Sequence, residues 1–427
     1  MNTPGAASAA TVPAMAAYGL LGMPLSMAAL PVYIQVPAYY ASELGLALSA
    51  TGTVLFVARL VDTVQDPFLG RWIDRLMQRG KLAPALWLAC LMLAVTFAAL
   101  WLPPMRGAAL AAWLALTLVL VYSAHSVVSI AYLAWGARLS RDPAALTRAA
   151  AWREGAGLAG VMLASVLPPW LLGNSGWPAE PAMASYALLF AALLLAALWL
   201  LLRRAPAWRH HDAGVAGWRA TLANRGFRHL LLPYFLNAVS VSIPATLALF
   251  FIQDRLRAPQ WSGAFLATYF AAGAAGLPLW TRLSARLGPA RAWRLGMVLA
   301  VAAFVWAAGL GAGDTGAYLA VCVVAGLALG ADLALPPVLL ACLIPAGEQP
   351  ASYYGIWSLL GKLALALSGL ALPLLAWCGY QPGAGGSPAG SHALALVYGG
   401  LPCVFKLAAM LCLRIRATPK SSMEKPI

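Results

Sequence analysis

Uncharged apolar stretches of about 20 residues recur along the whole chain, and they constrain its fold more than any other feature. Clear examples are residues 82–102, 183–202 and 295–313. A helix of about 20 apolar residues is long enough to cross the hydrocarbon core of a bilayer. With 62% of residues hydrophobic and 10% charged, the composition excludes an ordinary soluble domain. The alternation expected of a membrane β-barrel is absent. The sequence therefore predicts an all-α polytopic membrane protein.

Twelve membrane spans are predicted. They lie at residues 14–42, 46–69, 82–103, 107–135, 147–173, 183–203, 226–252, 260–281, 292–312, 316–345, 352–379 and 391–413. The longest polar stretch, residues 204–225, separates six spans from six and is predicted to be a cytoplasmic central loop. The flanking segments, 1–203 and 226–427, are predicted to be two six-helix bundles.

The two halves repeat a pattern at an offset of 211 residues. Pro67, Arg71 and Arg75 correspond to Pro278, Arg282 and Arg286, and both sets end the second span of their half in a basic loop. Two repeated six-helix halves with a site between them form the major facilitator arrangement. That arrangement is the predicted fold.

The net charge of +15 reflects orientation rather than a nucleic-acid partner. Most Lys and Arg residues fall in alternate loops and in the tails. Cytoplasmic segments of membrane proteins are enriched in these two residues. This distribution predicts a multi-pass protein of the cell inner membrane with both termini in the cytoplasm. The N-terminal segment has no basic residues before its apolar run, so it is not expected to be a cleaved signal peptide.

The sequence offers no motif for an enzyme or a cofactor. The 6 cysteines have no paired spacing and lie in or at the ends of spans, as expected for small core residues. A nucleophile–base set, a metal-ligand cluster and a phosphate loop are all missing from the sequence. We expect neither enzymatic activity nor a metal, and no cofactor beyond a coupling ion.

Charged residues inside the second span indicate ion coupling. Arg59, Asp62 and Asp66 lie on one side of a helix at successive turns. Because charge in hydrocarbon is costly, intramembrane acids are functional candidates for cation or proton pathways.

Lys362 in the eleventh span is predicted to pair with Asp62. The two residues lie about 15 and 12 Å from the cytoplasmic ends of their spans at a helical rise of 1.5 Å per residue. A cation that binds the acids would compete with this pair. The alternative is a static salt bridge that fixes packing.

Further polar residues within spans are candidates for the substrate path, each with a structural alternative. His125 and Ser129 share one face of the fourth span, where a lone histidine is often a helix contact. Arg153 begins the fifth span beside Glu154, and the pair is either interfacial or substrate-facing. Asp332 lies near mid-depth in the tenth span, beside a Pro-Pro break that frees carbonyls. Trp357, with Tyr353 and Tyr354, opens the eleventh span and either stacks on a ligand or belongs to an interfacial belt.

The segment from Gly70 to Lys81 resembles the loop between helices 2 and 3 of the major facilitator superfamily. It reads GRWIDRLMQRGK. The resemblance implies that Gly70, Asp74, Arg75 and Arg79 hold the cytoplasmic helix ends together in one access state, which is a gating role.

Most of the chain resembles a family, the glycoside–pentoside–hexuronide:cation symporters, or melibiose permease-like transporters. The match is strongest from Tyr18 to Asp74. It includes Tyr18-Gly19, Tyr39-Tyr40, Gly45-Leu46 and Val57-Ala-Arg59-x-x-Asp62-x-x-x-Asp66-Pro67-x-x-Gly70. In that family two helix 2 acids and a helix 4 hydroxyl bind Na⁺, Li⁺ or H⁺. The matching residues are Asp62, Asp66 and Ser126, with Gln65 in place of an asparagine. Lys362 and Arg153 match the family's helix 11 lysine and helix 5 arginine.

The residues that read galactosides in that family are replaced. Ser26 and Ser129 stand where the galactoside transporter has acids on helices 1 and 4, and Leu133 takes the place of a tryptophan. Serines form hydrogen bonds without the strength of a charged partner. The resemblance therefore implies a substrate other than a galactoside. A lipid substrate is one alternative, because the broader family includes lysophospholipid carriers.

The expected function is Na⁺- or H⁺-coupled symport of a sugar, a glycoside or a similar small organic solute, by a monomer that works through alternating access. Its site comprises Asp62, Asp66, Ser126 and Gln65 for the cation, with Arg59 and Lys362 for coupling. The substrate residues are Ser26, Ser129, Arg153, Trp357, His125 and Asp332. The alternatives are a major facilitator carrier or exporter of a more apolar substrate, including a lysolipid, and a membrane receptor that does not transport.

Overall fold

The computed structural model describes residues 12–107, 109–173, 179–205, 218–381 and 388–413, and these residues form helices and connecting turns without a strand. In chain order the α-helices are α1 (Val12–Gly19), α2 (Gly22–Ala38), α3 (Leu48–Gln78), α4 (Leu82–Trp101), α5 (Ala109–Ala137), α6 (Pro143–Gly173), α7 (Ala179–Arg204), α8 (Trp218–Ala223), α9 (Arg225–Phe250), α10 (Ser262–Leu287), α11 (Pro289–Ala308), α12 (Thr315–Leu343), α13 (Ala351–Ser368), α14 (Ala371–Trp377), α15 (Pro388–Ala395) and α16 (Leu401–Cys412). π-helical turns span Tyr39–Glu43, Phe251–Arg255 and Leu396–Gly400, and a 3₁₀ turn spans Pro259–Trp261.

The twelve predicted spans coincide with these helices or with consecutive runs of them. In the described part of the chain, 10 helical runs are long and apolar enough to cross a membrane. The second and fifth predicted spans lie in α3 and α6, which carry more charge and have 31 residues each. At 1.5 Å per residue a helix of that length also exceeds the bilayer core. The prediction of an all-α membrane fold is confirmed.

Two helices depart from the predicted boundaries. The first span is interrupted between Gly19 and Gly22, where the N–H of Met23 donates to the carbonyl of Leu20 at 3.1 Å. Pro24 has no N–H for that carbonyl, so the regular ladder cannot continue. The second span does not give way to a loop at residue 70, because α3 remains helical to Gln78. Gly70, Asp74 and Arg75 therefore lie on α3, and Arg79 caps it.

The first and seventh spans end in the same way at positions 212 residues apart. In each, a π-helical turn, Tyr39–Glu43 or Phe251–Arg255, follows the α-helix. The same two backbone bonds close both turns: Leu44 N–H to Tyr39 O and Leu46 N–H to Tyr40 O, then Leu256 N–H to Phe251 O and Ala258 N–H to Ile252 O. This agreement supports an internal repeat. The division into halves at 204–225 stays a prediction, and residues 206–217 of that loop, like the tail from 414, lie outside the described residues.

Helix α3 packs against α5 on one side and against α13 on another, and this contact positions the site. The backbones of α3 and α13 touch at two glycines. A Cβ on Gly70 would lie 2.4 Å from the carbonyl oxygen of Ala351, and one on Gly355 would lie 2.5 Å from that of Asp66. Small residues of this kind allow membrane helices to approach closely. The close approach places the inward face of α13 against the acids of α3.

Candidate functional site

The ammonium of Lys362 lies between the two acids of α3. Its Nζ is 2.6 Å from Asp62 Oδ1, and 2.9 and 2.8 Å from Asp66 Oδ1 and Oδ2. It also donates to Ser126 Oγ at 2.8 Å and to the carbonyl of Asp62 at 3.2 Å. The predicted pairing with Asp62 is present, and Asp66 shares it. Oxygen atoms therefore surround a single positive charge.

Asp62 is held by its neighbours on α3 and α5 as well. Ser126 donates to Asp62 Oδ1 at 3.1 Å, and Gln65 Nε2 donates to the same oxygen at 3.2 Å. Ser123 donates to Gln65 Oε1 at 2.8 Å. Ser123 and Ser126 are one turn apart on α5, so they reach the same side of α3. Ser123 is a member of the site that the sequence did not indicate.

Asp66 has a further partner on α13. Ser358 donates to Asp66 Oδ2 at 2.5 Å. Ser358 and Lys362 are four residues apart and face α3 together, as do Asp62 and Asp66 on their helix. Nothing in the sequence separates Ser358 from other serines in membrane helices, which is why it was missed.

The two acids are deeply buried, and the lysine is partly buried. The side chains of Asp62 and Asp66 are 3% and 0% exposed, whereas that of Lys362 is 19% exposed. Burial of charge is costly unless an opposite charge and hydrogen bonds compensate it. The cluster sets two carboxyl groups against one ammonium.

Arg59, the third charge of this face, lies over an aromatic ring of α5. Its guanidinium carbon is 5.9 Å from the ring centre of Tyr122 on α5. This is the geometry of a cation–π contact.

Two of the six substrate candidates, His125 and Ser129, contact each other on α5. His125 Nε2 lies 3.1 Å from the carbonyl of Leu25 on α2, and its Nδ1 lies 3.5 Å from Ser129 Oγ. Ser26 packs against Gly157 of α6, where an added Cβ would lie 2.8 Å from Ser26 Oγ. The three residues therefore belong to neighbouring helices, with His125 bridging two of them.

Arg153 and Trp357 have partners within the protein. Arg153 donates from Nε and Nη2 to Glu154 Oε1 at 2.8 and 2.6 Å and is 8% exposed. Trp357 is buried and stacks on Tyr234 of α9, with ring centres 3.3 Å apart. Trp357 does not belong to an interfacial aromatic belt, because its ring packs between helices.

Asp332 belongs to a second buried ion pair. Lys406 Nζ lies 2.5 Å from Asp332 Oδ2, and Trp293 Nε1 donates to Asp332 Oδ1 at 2.9 Å. The side chain of Lys406 is 3% exposed and that of Asp332 is 5% exposed. The cluster joins α11, α12 and α16. The structure therefore does not bring Asp332 together with Ser26 and Ser129.

At the end of the bundle that carries the basic loops, Asp74 joins α3 to the start of α13. Its Oδ1 and Oδ2 accept the backbone N–H groups of Ala351 and Ser352, each at 2.8 Å, and the hydroxyl of Ser352 also donates to Oδ2. A carboxylate at a helix N-terminus is favoured by the helix dipole. Burial raises the pKa of Asp74 to about 6, although these hydrogen bonds oppose the shift. Arg75 and Arg79 are exposed.

Other contacts close the same end. Arg138, just after α5, donates to the carbonyls of Pro345 at 3.1 Å and of Glu348. Thr147 of α6 and Ser284 of α10 are hydrogen-bonded at 3.1 Å. Together with Asp74, these residues seal the first six spans against the last six at the basic end.

Comparison with known sequences identifies the family. The family profile described as MFS/sugar transport protein, MFS being the major facilitator superfamily, matches residues 15–416. The chain belongs to this family. It is thus a multi-span membrane transporter of the major facilitator type.

One curated relative is the inner membrane symporter YicJ of Escherichia coli strain K12. It is 30% identical over 147 residues, which are 34% of this chain. The matched segment spans 32% of that relative's length.

Solved transporters share the fold at low sequence identity. A bacterial homologue of the iron transporter ferroportin, in an outward-facing state, gives a TM-score of 0.70 at 19% identity over 93% of this chain and 98% of that one. The E. coli fucose:proton symporter FucP gives 0.66 at 14% identity over 93% and 97%. The proton:xylose symporter XylE gives 0.62 at 14% identity over 93% and 94%. These similarities establish the major facilitator fold.

Proposed function

We propose that the protein is a cation-coupled symporter of the glycoside–pentoside–hexuronide type. The observation that carries this proposal is the set of oxygens around the Lys362 ammonium, from Asp62, Asp66 and Ser126. An ammonium is a monovalent cation attached to the chain. Carboxylate, carbonyl and hydroxyl oxygens are also the groups that replace the water shell of a monovalent ion. A Na⁺ ion or a proton would compete with Lys362 for them.

Competition at this site couples the cation to movement. Lys362 lies on α13, whereas its acid partners lie on α3, so the ion pairs cross from one proposed half, 1–203, to the other, 226–427. A cation on the acids weakens the cross-half contact that keeps the basic end closed. A ligand shifts a conformational equilibrium by its difference in affinity for the two states. Alternating access between the two sides of an inner membrane follows.

The proposed substrate is a sugar, a glycoside or a similar small organic solute. The family description, together with the fucose and xylose substrates named for FucP and XylE, supports this class, and the name of YicJ supports symport. Ser26, Ser129 and His125 offer neutral hydrogen-bonding groups on helices next to the cation site. The same neutral groups fit a carrier or exporter of a more apolar solute, which is the second candidate.

Uptake in oriented vesicles distinguishes these functions. Purified protein is reconstituted, and a solute panel is tested in right-side-out and inverted membranes with Na⁺ and pH gradients imposed separately. We expect uphill accumulation of at least one polar solute with one of the two gradients. Transport of a solute that equilibrates without response to either gradient would contradict coupling, and efflux of an apolar solute would favour the second candidate.

A further inference from the structure

The two acids of the cation site are held by different parts of the protein. Asp62 receives hydrogen bonds from Gln65 and Ser126, which belong to the same six spans as itself, in addition to Lys362. The partners of Asp66 within the described part of the chain, Lys362 and Ser358, both lie on α13. Asp62 therefore keeps its hydrogen bonds to Gln65 and Ser126 when α13 moves away, whereas Asp66 loses its bonds to Ser358 and Lys362.

Asp66 also lies at the edge of the closed contact between α3 and α13. Its own carbonyl oxygen faces Gly355, close enough that a Cβ there would lie 2.5 Å away. One turn further toward the basic end, Gly70 meets Ala351 in the same manner. The hydrogen bond from Ser358 thus continues the backbone contact by one helical turn. Separation of the two helices must break it.

Cation binding and helix separation consequently involve the same oxygens. A cation that takes Asp66 Oδ1 and Oδ2 removes the acceptor of Ser358 as well as one partner of Lys362. A hydrogen bond to a charged acceptor is stronger than one to a neutral group. Its loss favours the state in which α13 has moved away.

We infer that Ser358 is a coupling residue. It holds Asp66 to α13 while the cation site is empty and releases it when the cation binds. This role rests on the proposed function, because it requires a coupling cation. Ser358 acts through Asp66 and positions it; it is not a cation ligand in this scheme.

The test compares Ser358→Ala with Ser368→Ala. Ser368 lies on the same helix and its hydroxyl is also hydrogen-bonded, but its bonds go to Thr246 Oγ at 2.9 Å and Leu365 O at 2.7 Å, within the last six spans. We expect Ser358→Ala to lower the cation concentration for half-maximal uptake by roughly tenfold, the size of one charged hydrogen bond. Ser368→Ala should match the wild type. An unchanged value would overturn the inference, and so would a raised value, which would make Ser358 a ligand.

A second measurement does not depend on coupling. Ala150 is buried on α6 and lines a small cavity shared with Pro337 and Tyr354 of the last six spans. Ala150→Cys, in a background without the native cysteines, reports opening of the basic end through its alkylation rate. Without cation or substrate, Ser358→Ala should raise that rate and Ser368→Ala should not. Wild-type uptake that ignored both gradients would overturn the proposed function, whereas equal alkylation rates would overturn the role of Ser358.

Discussion

Removal of Lys362 tests the electrostatics of the site directly. Lys362→Met leaves two carboxylates, 3% and 0% exposed, without their shared positive partner. Loss of one member of a buried ion pair destabilises a protein by on the order of 3–5 kcal/mol, because the remaining charge is stranded. Asp62→Asn leaves Lys362 paired with Asp66 and should destabilise less. The triple change Asp62→Asn, Asp66→Asn, Lys362→Met removes every charge of the cluster and should return most of the lost stability.

The predicted order of stability is therefore wild type and triple variant highest, the double variant Asp62→Asn/Lys362→Met intermediate, and Lys362→Met lowest. Melting of the detergent-solubilised protein, followed by size-exclusion fluorescence, measures this order. Lys406→Met is the matched control, because it strands Asp332 in the separate cluster and should add to Lys362→Met without interaction. A triple variant as unstable as Lys362→Met would refute the reasoning.

Three further predictions concern transport. Asp66→Asn should insert normally yet lose gradient-driven accumulation while exchange continues, and full accumulation would contradict the assignment of the cation site. The pKa of Asp74 is raised to about 6 in the closed contact, and in water it should return to about 3.9. The closed state thus binds the proton more tightly. Its advantage is fully present below pH 4 and lost as pH rises through 6. The alkylation rate of Ala150→Cys, divided by that of a solvent-exposed cysteine to remove the titration of the thiol itself, should therefore fall roughly tenfold from pH 7 to pH 5. Asp74→Asn should abolish that slope, and a slope that persisted would exclude Asp74 as its source. Cysteine at Ser26 or Ser129 should be alkylated from the aqueous side and protected by a transported solute; labelling that no transported solute changes would remove both residues from the substrate path.

The cluster of Asp62, Asp66 and Lys362 could be predicted in part because charge in hydrocarbon is a strong signal. Asp62 and Lys362 are the kind of residues that must have a partner in a membrane, and their matching depths identified the pair. Ser358 and Ser123 carry no such signal, since serine is common in membrane helices. Their roles depend on which faces of α3, α5 and α13 meet. The sequence of one span does not determine how that span packs against the others.

The second ion pair shows the same limit. The sequence places Asp332 near mid-depth of the tenth span but does not identify its partner, Lys406. The choice of partner depends on the packing of α11 against both α12 and α16, which lets Lys406 reach Asp332 and lets Trp293 of α11 complete the contact. The continuation of α3 to Gln78 was missed for a different reason. Residues 70–78 are polar enough to resemble a loop, yet they are helical and Asp74 among them packs against the start of α13.

The ion pairs of the described residues differ in what a movement of the halves would do to them. Lys406–Asp332 and Arg153–Glu154 each join residues on the same side of the central loop, so they can persist while the bundles rotate. The contacts of Lys362 with Asp62 and Asp66 cross between the bundles and cannot. A ligand couples to a movement only through interactions that differ between its end states. In the proposed symport cycle, the charges that cross the interface are therefore where a cation would act on access, and the different partners of Asp62 and Asp66 would give the two acids different roles. Asp62 would keep its hydrogen bonds to Gln65 and Ser126 and retain the cation during the movement, whereas Asp66 would exchange its partners on α13 for that cation.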